Sequence, residues 1–224
     1  MSRLTDVQKT MRDALCRNHG GKMHDIISLS TSPFNPVCDR RAAYKNSVCH
    51  YCFSRRMMRV YKALGAKLAR NRDWLSTVEL TAADVYHVKP KSGYFRFEAF
   101  GDLFSTLQVK NYFTIAAELG RDGIKCALWT KNPQVIKAAI EQYNLVKPTN
   151  LNIIYSVAGL NSNAATAILD AFHACGYEFI DKIFTVYDAE HADGVNINCG
   201  ARDCATCGKC YEKNGIKFIC EKLK

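Results

Sequence analysis

Two groups of cysteines hold the reactive chemistry of this sequence. One is "NINCGARDCATCGKCYEKNG", residues 196–215, with the spacing Cys199-x4-Cys204-x2-Cys207-x2-Cys210. Thiolates are soft donors suited to zinc and to iron–sulfur clusters, and four so closely spaced read as one ligand set. A structural zinc usually takes two separated pairs of thiolates, whereas three of these four lie in one overlapping run. Consecutive x2 gaps let a loop curl round a cubane and reach several irons, as in ferredoxins. The later Cys-Pro of that pattern is missing here, so Cys199 has to supply the fourth ligand. The spacing favours a 4Fe-4S cluster, with zinc as the alternative at this C-terminal site.

The other group is "CDRRAAYKNSVCHYC", residues 38–52, where Cys38, Cys49 and Cys52 offer three thiolates with no fourth cysteine nearby in sequence. A 4Fe-4S cluster held by three cysteines leaves one iron open to an outside ligand, and an open iron is a reactive site. A zinc ion would instead recruit His50 or a distant residue as its fourth ligand.

The elements that must carry these groups follow a regular beat. "LTDVQKTMRDALCRNHGG" places Leu4, Val7, Met11 and Leu15 on one helical face, with Thr5 and Gln8 as a capping box and Gly20 as a stop. "DIISLS" reads as the first strand, and Cys38 follows it in a loop. "CFSRRMMRVYKALGAKLARNRDWL" reads as a helix with Met58, Tyr61, Leu64 and Leu68 on one face and basic residues over the others. Then "YFRFEAF", "IKCALWT", "LNIIYSV", "KIFTVY" and "GVNINC" alternate with helix-like runs, one of which opens on Pro133. This predicts an α/β fold: a partial, open βα barrel of about six parallel strands, whose active groups sit at the carboxyl ends of the strands. An N-terminal helix and a small C-terminal Cys-rich hairpin or loop complete it. A type I′ turn is expected at Asn214-Gly215, between "YEK" and "IKFIC". The expected organisation is one domain over residues 1–224, with the barrel core in 25–195 and the metal-binding extension in 196–224.

Composition narrows the function classes. The 224 residues carry 31 basic against 21 acidic side chains, a net charge of +10, which favours a polyanionic partner or an anionic substrate. No apolar run reaches the roughly 18 residues of a membrane helix, and the N-terminus lacks the apolar core of a signal peptide. The expectation is a cytoplasmic protein with no membrane partner. Eleven cysteines in that compartment are better read as ligands and free thiols than as disulfides.

Cysteines after the first strand that close with Cys-x-aromatic-Cys, here Cys49-His50-Tyr51-Cys52, resemble those of radical S-adenosylmethionine enzymes, although the usual first gap of three residues is here ten. More closely, "VCHYCFSRRMMRVYKALGAKLARN", "FRFEAFGDLFS", "LWTKNP" and "CATCGKCY" resemble the gene product 88 family of phages and bacteria. The resemblance covers most of residues 27–212 and implies a trimmed radical S-adenosylmethionine barrel in a host cytoplasm. It implies that Cys38, Cys49 and Cys52 bind three irons while S-adenosylmethionine chelates the fourth, with a protein reductant and an unknown substrate, which the charge allows to be a nucleic acid. In "AFGD", Gly101 would permit close backbone approach to the cofactor and Asp102 would accept from its ammonium group. Thr130, Lys131 and Ser156, near the ends of later strands, would hold carboxylate or ribose hydroxyls. The competing expectation is a zinc-stabilised nucleic-acid-binding phage protein without chemistry of its own.

Alternation along "FRFEAF" puts Arg96 and Glu98 on one strand face, a candidate pair for the site. Glu190 and His191 read as loop residues, and His19, His24, His87 and His173 as structural. Cys16, Cys126, Cys175 and Cys220 read as small buried hydrophobes.

Overall fold

The computed structural model describes residues 4–17, 21–162, 165–200 and 203–223. Seven strands form one open sheet in chain order: β1 (Cys16–Arg17), β2 (Ile27–Leu29), β3 (Tyr94–Phe97), β4 (Lys125–Thr130), β5 (Leu151–Ser156), β6 (Lys182–Tyr187) and β7 (Phe218–Lys222). β1 is antiparallel to β2, and every later pairing is parallel, so six strands run the same way. The chain is α/β, with the strand order of a partial, open βα barrel. Its helices are α1 (Asp6–Ala14), α2 (Pro36–Ala42), α3 (Phe53–Val60), α4 (Lys62–Thr77), α5 (Thr106–Arg121), α6 (Pro133–Tyr143), α7 (Ala165–Ala174) and the short α8 (Cys204–Cys207).

Side chains alternate across each strand, which separates two packing layers. The paired rows Ile27–Phe95–Cys126–Leu151 and Leu29–Phe97–Leu128–Ile153 face the helices and bury against Met11 of α1, Leu75 of α4, Tyr112 and Ile115 of α5 and Ile136 of α6. The opposite face carries Tyr94, Arg96, Ala127, Trp129, Asn152, Ile154 and Phe184. What covers it is the C-terminal cysteine segment, through Cys199, Cys204, Cys210, Tyr211 and Ile219. The capping box of α1 forms as read, with Gln8 N donating to Thr5 Oγ1 and Thr5 N to Gln8 Oε1, both at 3.1 Å. That helix ends at Ala14, and the expected stop at Gly20 lies outside the described residues.

Three expectations are corrected. "GVNINC" is not a strand: the sixth parallel strand is β7, and residues 198–199 run beside it through Cys199 N to Cys220 O (2.9 Å) and the Asn198 side chain, which bonds both Phe218 O and Cys220 N. A side chain that takes up backbone groups in this way replaces the regular ladder. The Asn214-Gly215 hairpin is likewise absent. Neither residue adopts the positive φ that a type I′ turn needs, and Asn214 instead accepts from Lys182 Nζ at 2.8 Å, pinning the turn to the start of β6. Finally, the long basic helix breaks at Tyr61, where ψ of 83° ends α3 and restarts the chain as α4. The break packs Gly65 against Met58, at 3.7 Å from the position of a Cβ, and leaves Tyr61 exposed rather than on the buried stripe.

Candidate metal centres

The N-terminal thiols stand at the carboxyl end of β2. Asn35 caps α2, accepting from Val37 N and Cys38 N, and Pro36 fills the first helical position, where no N–H is needed. The same Asn35 donates from Nδ2 to Cys38 Sγ at 3.3 Å. Cys49 lies in a turn held against the end of β5 by Val48 N to Ala158 O and Leu160 N to Asn46 O, each 2.9 Å. Cys52 opens α3. Burial pushes the Cys38 thiol up to about 12, and the negative charges of Asp102, Cys49 and Cys52 push the same way. A half-buried Cys38 whose thiol is held protonated by burial and by the charges around it needs a positive centre to become a thiolate. That donor set fits an iron–sulfur group.

Beside them lies a polar network built from the ends of the next strands. Asp102 Oδ1 accepts from Thr130 Oγ1 at 2.7 Å and from Leu103 N at 2.8 Å, while Lys131 N approaches both carboxylate oxygens. Lys131 Nζ donates to Ser156 Oγ at 3.0 Å. Asp102, Thr130, Lys131 and Ser156 thus come together in one network, with all but Lys131 buried. Gly101 has φ of 75°, and a Cβ there would sit 2.5 Å from Thr31 O, so the close approach it permits is to the chain's own loop after β2.

Arg41 was not singled out from sequence, and it joins the two groups. One turn from Cys38 on α2, it donates to Asp102 Oδ2 (3.2 Å), Lys131 O (2.8 Å) and Asn132 Oδ1 (2.7 Å). It fastens the Cys38 helix to the strand ends. Its signal was spacing: a cation three residues after a candidate ligand.

Arg96 and Glu98 do not form a pair. The strand ends at Phe97 and Glu98 has φ of 53°, so alternation stops and its carboxyl turns into the helix layer. There it accepts from Tyr112 OH at 2.6 Å and Gln108 Nε2 at 2.7 Å, with Thr31 Oγ1 at 3.0 and 3.1 Å from its two oxygens. Burial raises its pKa to about 8 against the lowering effect of these donors, with Asp102 adding to the rise. The unfolded carboxyl titrates near 4.5, so between about pH 4.5 and 8 the folded state holds the extra proton and stability falls as pH rises. Glu98→Gln should flatten a slope of up to about 1.4 kcal/mol per pH unit. Urea unfolding under reducing conditions at several pH values across that window checks this, and parallel curves for the two proteins would refute it.

The four C-terminal cysteines sit at the other end of the sheet, against the amino ends of the strands. Cys204 N donates to Lys22 O, Tyr211 stacks on Tyr94 at 4.6 Å, and Asn152 Nδ2 donates to Cys210 O at 3.0 Å. Together they wall a small cavity of about 20 Å³. Lys22 Nζ lies 3.2 Å from Cys199 Sγ, and the Arg96 guanidinium opposes the burial that raises Cys204 and pushes Cys210 up to about 12. Arg96 stacks on Trp129 at 3.8 Å, and its Nε is buried with no hydrogen-bond partner. Two cations and an unmatched donor beside four soft ligands fit an anionic thiolate-bound metal group.

All eleven cysteines are free. Among the described residues, no three His, Cys, Asp or Glu side chains are disposed about a single metal ion. Of the four solitary cysteines, Cys126 is buried, Cys16 and Cys220 are half-buried, and Cys175 is exposed rather than a core residue. Among the described residues, no helix is long and apolar enough to cross a membrane. No curated protein and no solved structure matches the chain. The model of the gene product 88 family matches residues 5–222, nearly the whole length, and the chain belongs to that family.

Proposed function

We propose that this protein is an iron–sulfur enzyme of the radical S-adenosylmethionine type, with Cys38, Cys49 and Cys52 holding a 4Fe-4S cluster. The observation that carries the reading is the meeting of three thiols with the Asp102, Thr130, Lys131 and Ser156 network at the carboxyl ends of parallel strands, where βα folds place their chemistry. When bound, such a cluster with S-adenosylmethionine at its open iron supplies one-electron cleavage of the sulfonium and a 5′-deoxyadenosyl radical. The chain's own residues bind and orient. Asn35 donates to Cys38 and Arg41 fixes its helix, while Asp102 holds the Thr130 hydroxyl and the Lys131 backbone N–H so that Lys131 Nζ and Ser156 Oγ stand ready for an anionic group. The Arg96 guanidinium and the Lys22 ammonium, which also pairs with Glu221, stabilise a second thiolate-bound metal group at the amino ends, where it braces the sheet face opposite the long helices.

The test is metal analysis and electron paramagnetic resonance on anaerobically reconstituted, reduced protein, with and without S-adenosylmethionine. Iron, sulfide and a spectrum that changes on addition are expected. Colourless protein with stoichiometric zinc and an unchanged spectrum would instead establish the zinc-stabilised, non-catalytic reading.

A further inference from the structure

Charge is not spread evenly over this molecule. Residues 38–72 contain ten basic side chains and one acid, Asp39, so nine of the ten net positive charges lie in 35 residues. Some of these cations are already engaged: Arg41 with Asp102, Arg55 with Asp39 and Arg72 with Asp73. Arg40, Lys45, Arg56, Arg59, Lys62 and Arg70 are exposed and, among the described residues, meet no carboxylate. Five of the six exposed aromatic side chains among the described residues lie in or just before this stretch, the sixth being Phe104. Tyr44 is 69% exposed, Tyr61 54%, Tyr51 and Phe53 53% each, and Phe34 40%.

Contacts tie this surface to the cysteine mouth. Phe53, the residue after Cys52, stacks on Phe100 with centroids 6.3 Å apart, and Phe100 precedes Gly101 and Asp102. The Arg56 guanidinium lies 6.0 Å over the Phe53 ring and that of Arg55 lies 5.2 Å over Phe34. Tyr44, Tyr51, Phe53 and Tyr61 nonetheless keep more than half of their surface in water beside exposed cations. A protein-binding surface would deplete charge at its centre. Rings interleaved with unpaired cations match a strand that offers both phosphates and unstacked bases.

We infer that residues 34–62 form a binding surface for single-stranded nucleic acid, running from the Tyr44, Tyr51 and Phe53 rings along α3 and delivering a nucleotide to the Cys38, Cys49 and Cys52 mouth. The surface itself stands whichever metal the cysteines hold. Cation–π contacts pre-orient the rings, the bases stack on them, and the unpaired arginines and lysines neutralise the backbone. A duplex keeps its bases stacked on one another and engages the charge alone.

Fluorescence anisotropy tests this with labelled single strands of roughly 15 nucleotides, in DNA and RNA form, against the matching duplexes and heparin across a salt series. Single strands are expected to bind more tightly than duplex or heparin. Tyr51→Ala with Phe53→Ala should weaken single-strand binding by roughly 10-fold or more at an unchanged salt slope, and Arg56→Glu with Arg59→Glu should reduce the slope by about two. Tyr44→Ala with Tyr61→Ala, away from the ligands, repeats the stacking test should Cys52 chemistry be disturbed by its neighbours. Circular dichroism and iron content, measured on every variant, separate lost binding from lost fold or lost cluster. Equal binding of duplex and heparin with no effect of the aromatic variants, or no binding at low salt, overturns the inference.

Discussion

Cys49→Ala is expected to halve the iron of the anaerobically reconstituted protein, from about eight to about four atoms per chain, and to abolish reductive cleavage of S-adenosylmethionine. The physical reason is the donor count. Two remaining thiols, Cys38 and Cys52, cannot hold a cubane, and burial together with the Asp102 charge favours the neutral Cys38 thiol. Cys204→Ala is the matched comparison. It should also remove about half the iron but leave the spectral response to S-adenosylmethionine, because that site lies at the opposite ends of the strands. Atomic absorption, acid-labile sulfide and detection of 5′-deoxyadenosine read the outcome. Full iron in the Cys49 variant would contradict the ligand assignment, and equal loss of cleavage in both variants would contradict the division of labour between them.

Tyr211→Ala is expected to destabilise the protein by about 3–5 kcal/mol, the range for deleting a large buried aromatic side chain. Tyr211 is 3% exposed, stacks on Tyr94 at an interplanar angle of 13° and meets Trp129 edge-on at 6.2 Å. It anchors the cysteine loop to the sheet face opposite the long helices, and Cys210 beside it is a proposed ligand. The variant should therefore lose the C-terminal metal selectively while the N-terminal trio, on the far side of the strands, keeps its own. Tyr211→Phe retains the stacking and should stay within about 1 kcal/mol of the parent. Chemical denaturation combined with metal content decides. An Ala variant as stable as the parent would show that the extension does not brace the sheet.

The two centres differ in their electrostatic surroundings. The C-terminal thiols have Arg96 beside them, together with Lys22, which also pairs with Glu221 at 2.8 Å. At the N-terminal thiols Asp102 raises the Cys38 thiol, and Arg41 pairs with that carboxylate at 3.2 Å.

Local signals settled much of this in advance. The Thr5 and Gln8 capping box, Pro133 at a helix start and the alternation of strand and helix periods each depend on neighbours within a few residues, and each appears where the sequence placed it. The Cys-x2-Cys runs are local for the same reason. What needed the folded chain was everything set by distant partners or by a backbone turn that breaks a period. Glu98 leaves the Arg96 face because its φ is positive, and Arg41 reaches Asp102 across 61 residues. The sixth strand comes from Phe218–Lys222 because β6 offers its free edge there, while Asn198 spends its side chain on the neighbouring backbone. Residue type and spacing determine which side chains are able to bind metal. Only the parallel sheet, which separates its carboxyl from its amino ends, decides that the two sets of thiols face different surroundings.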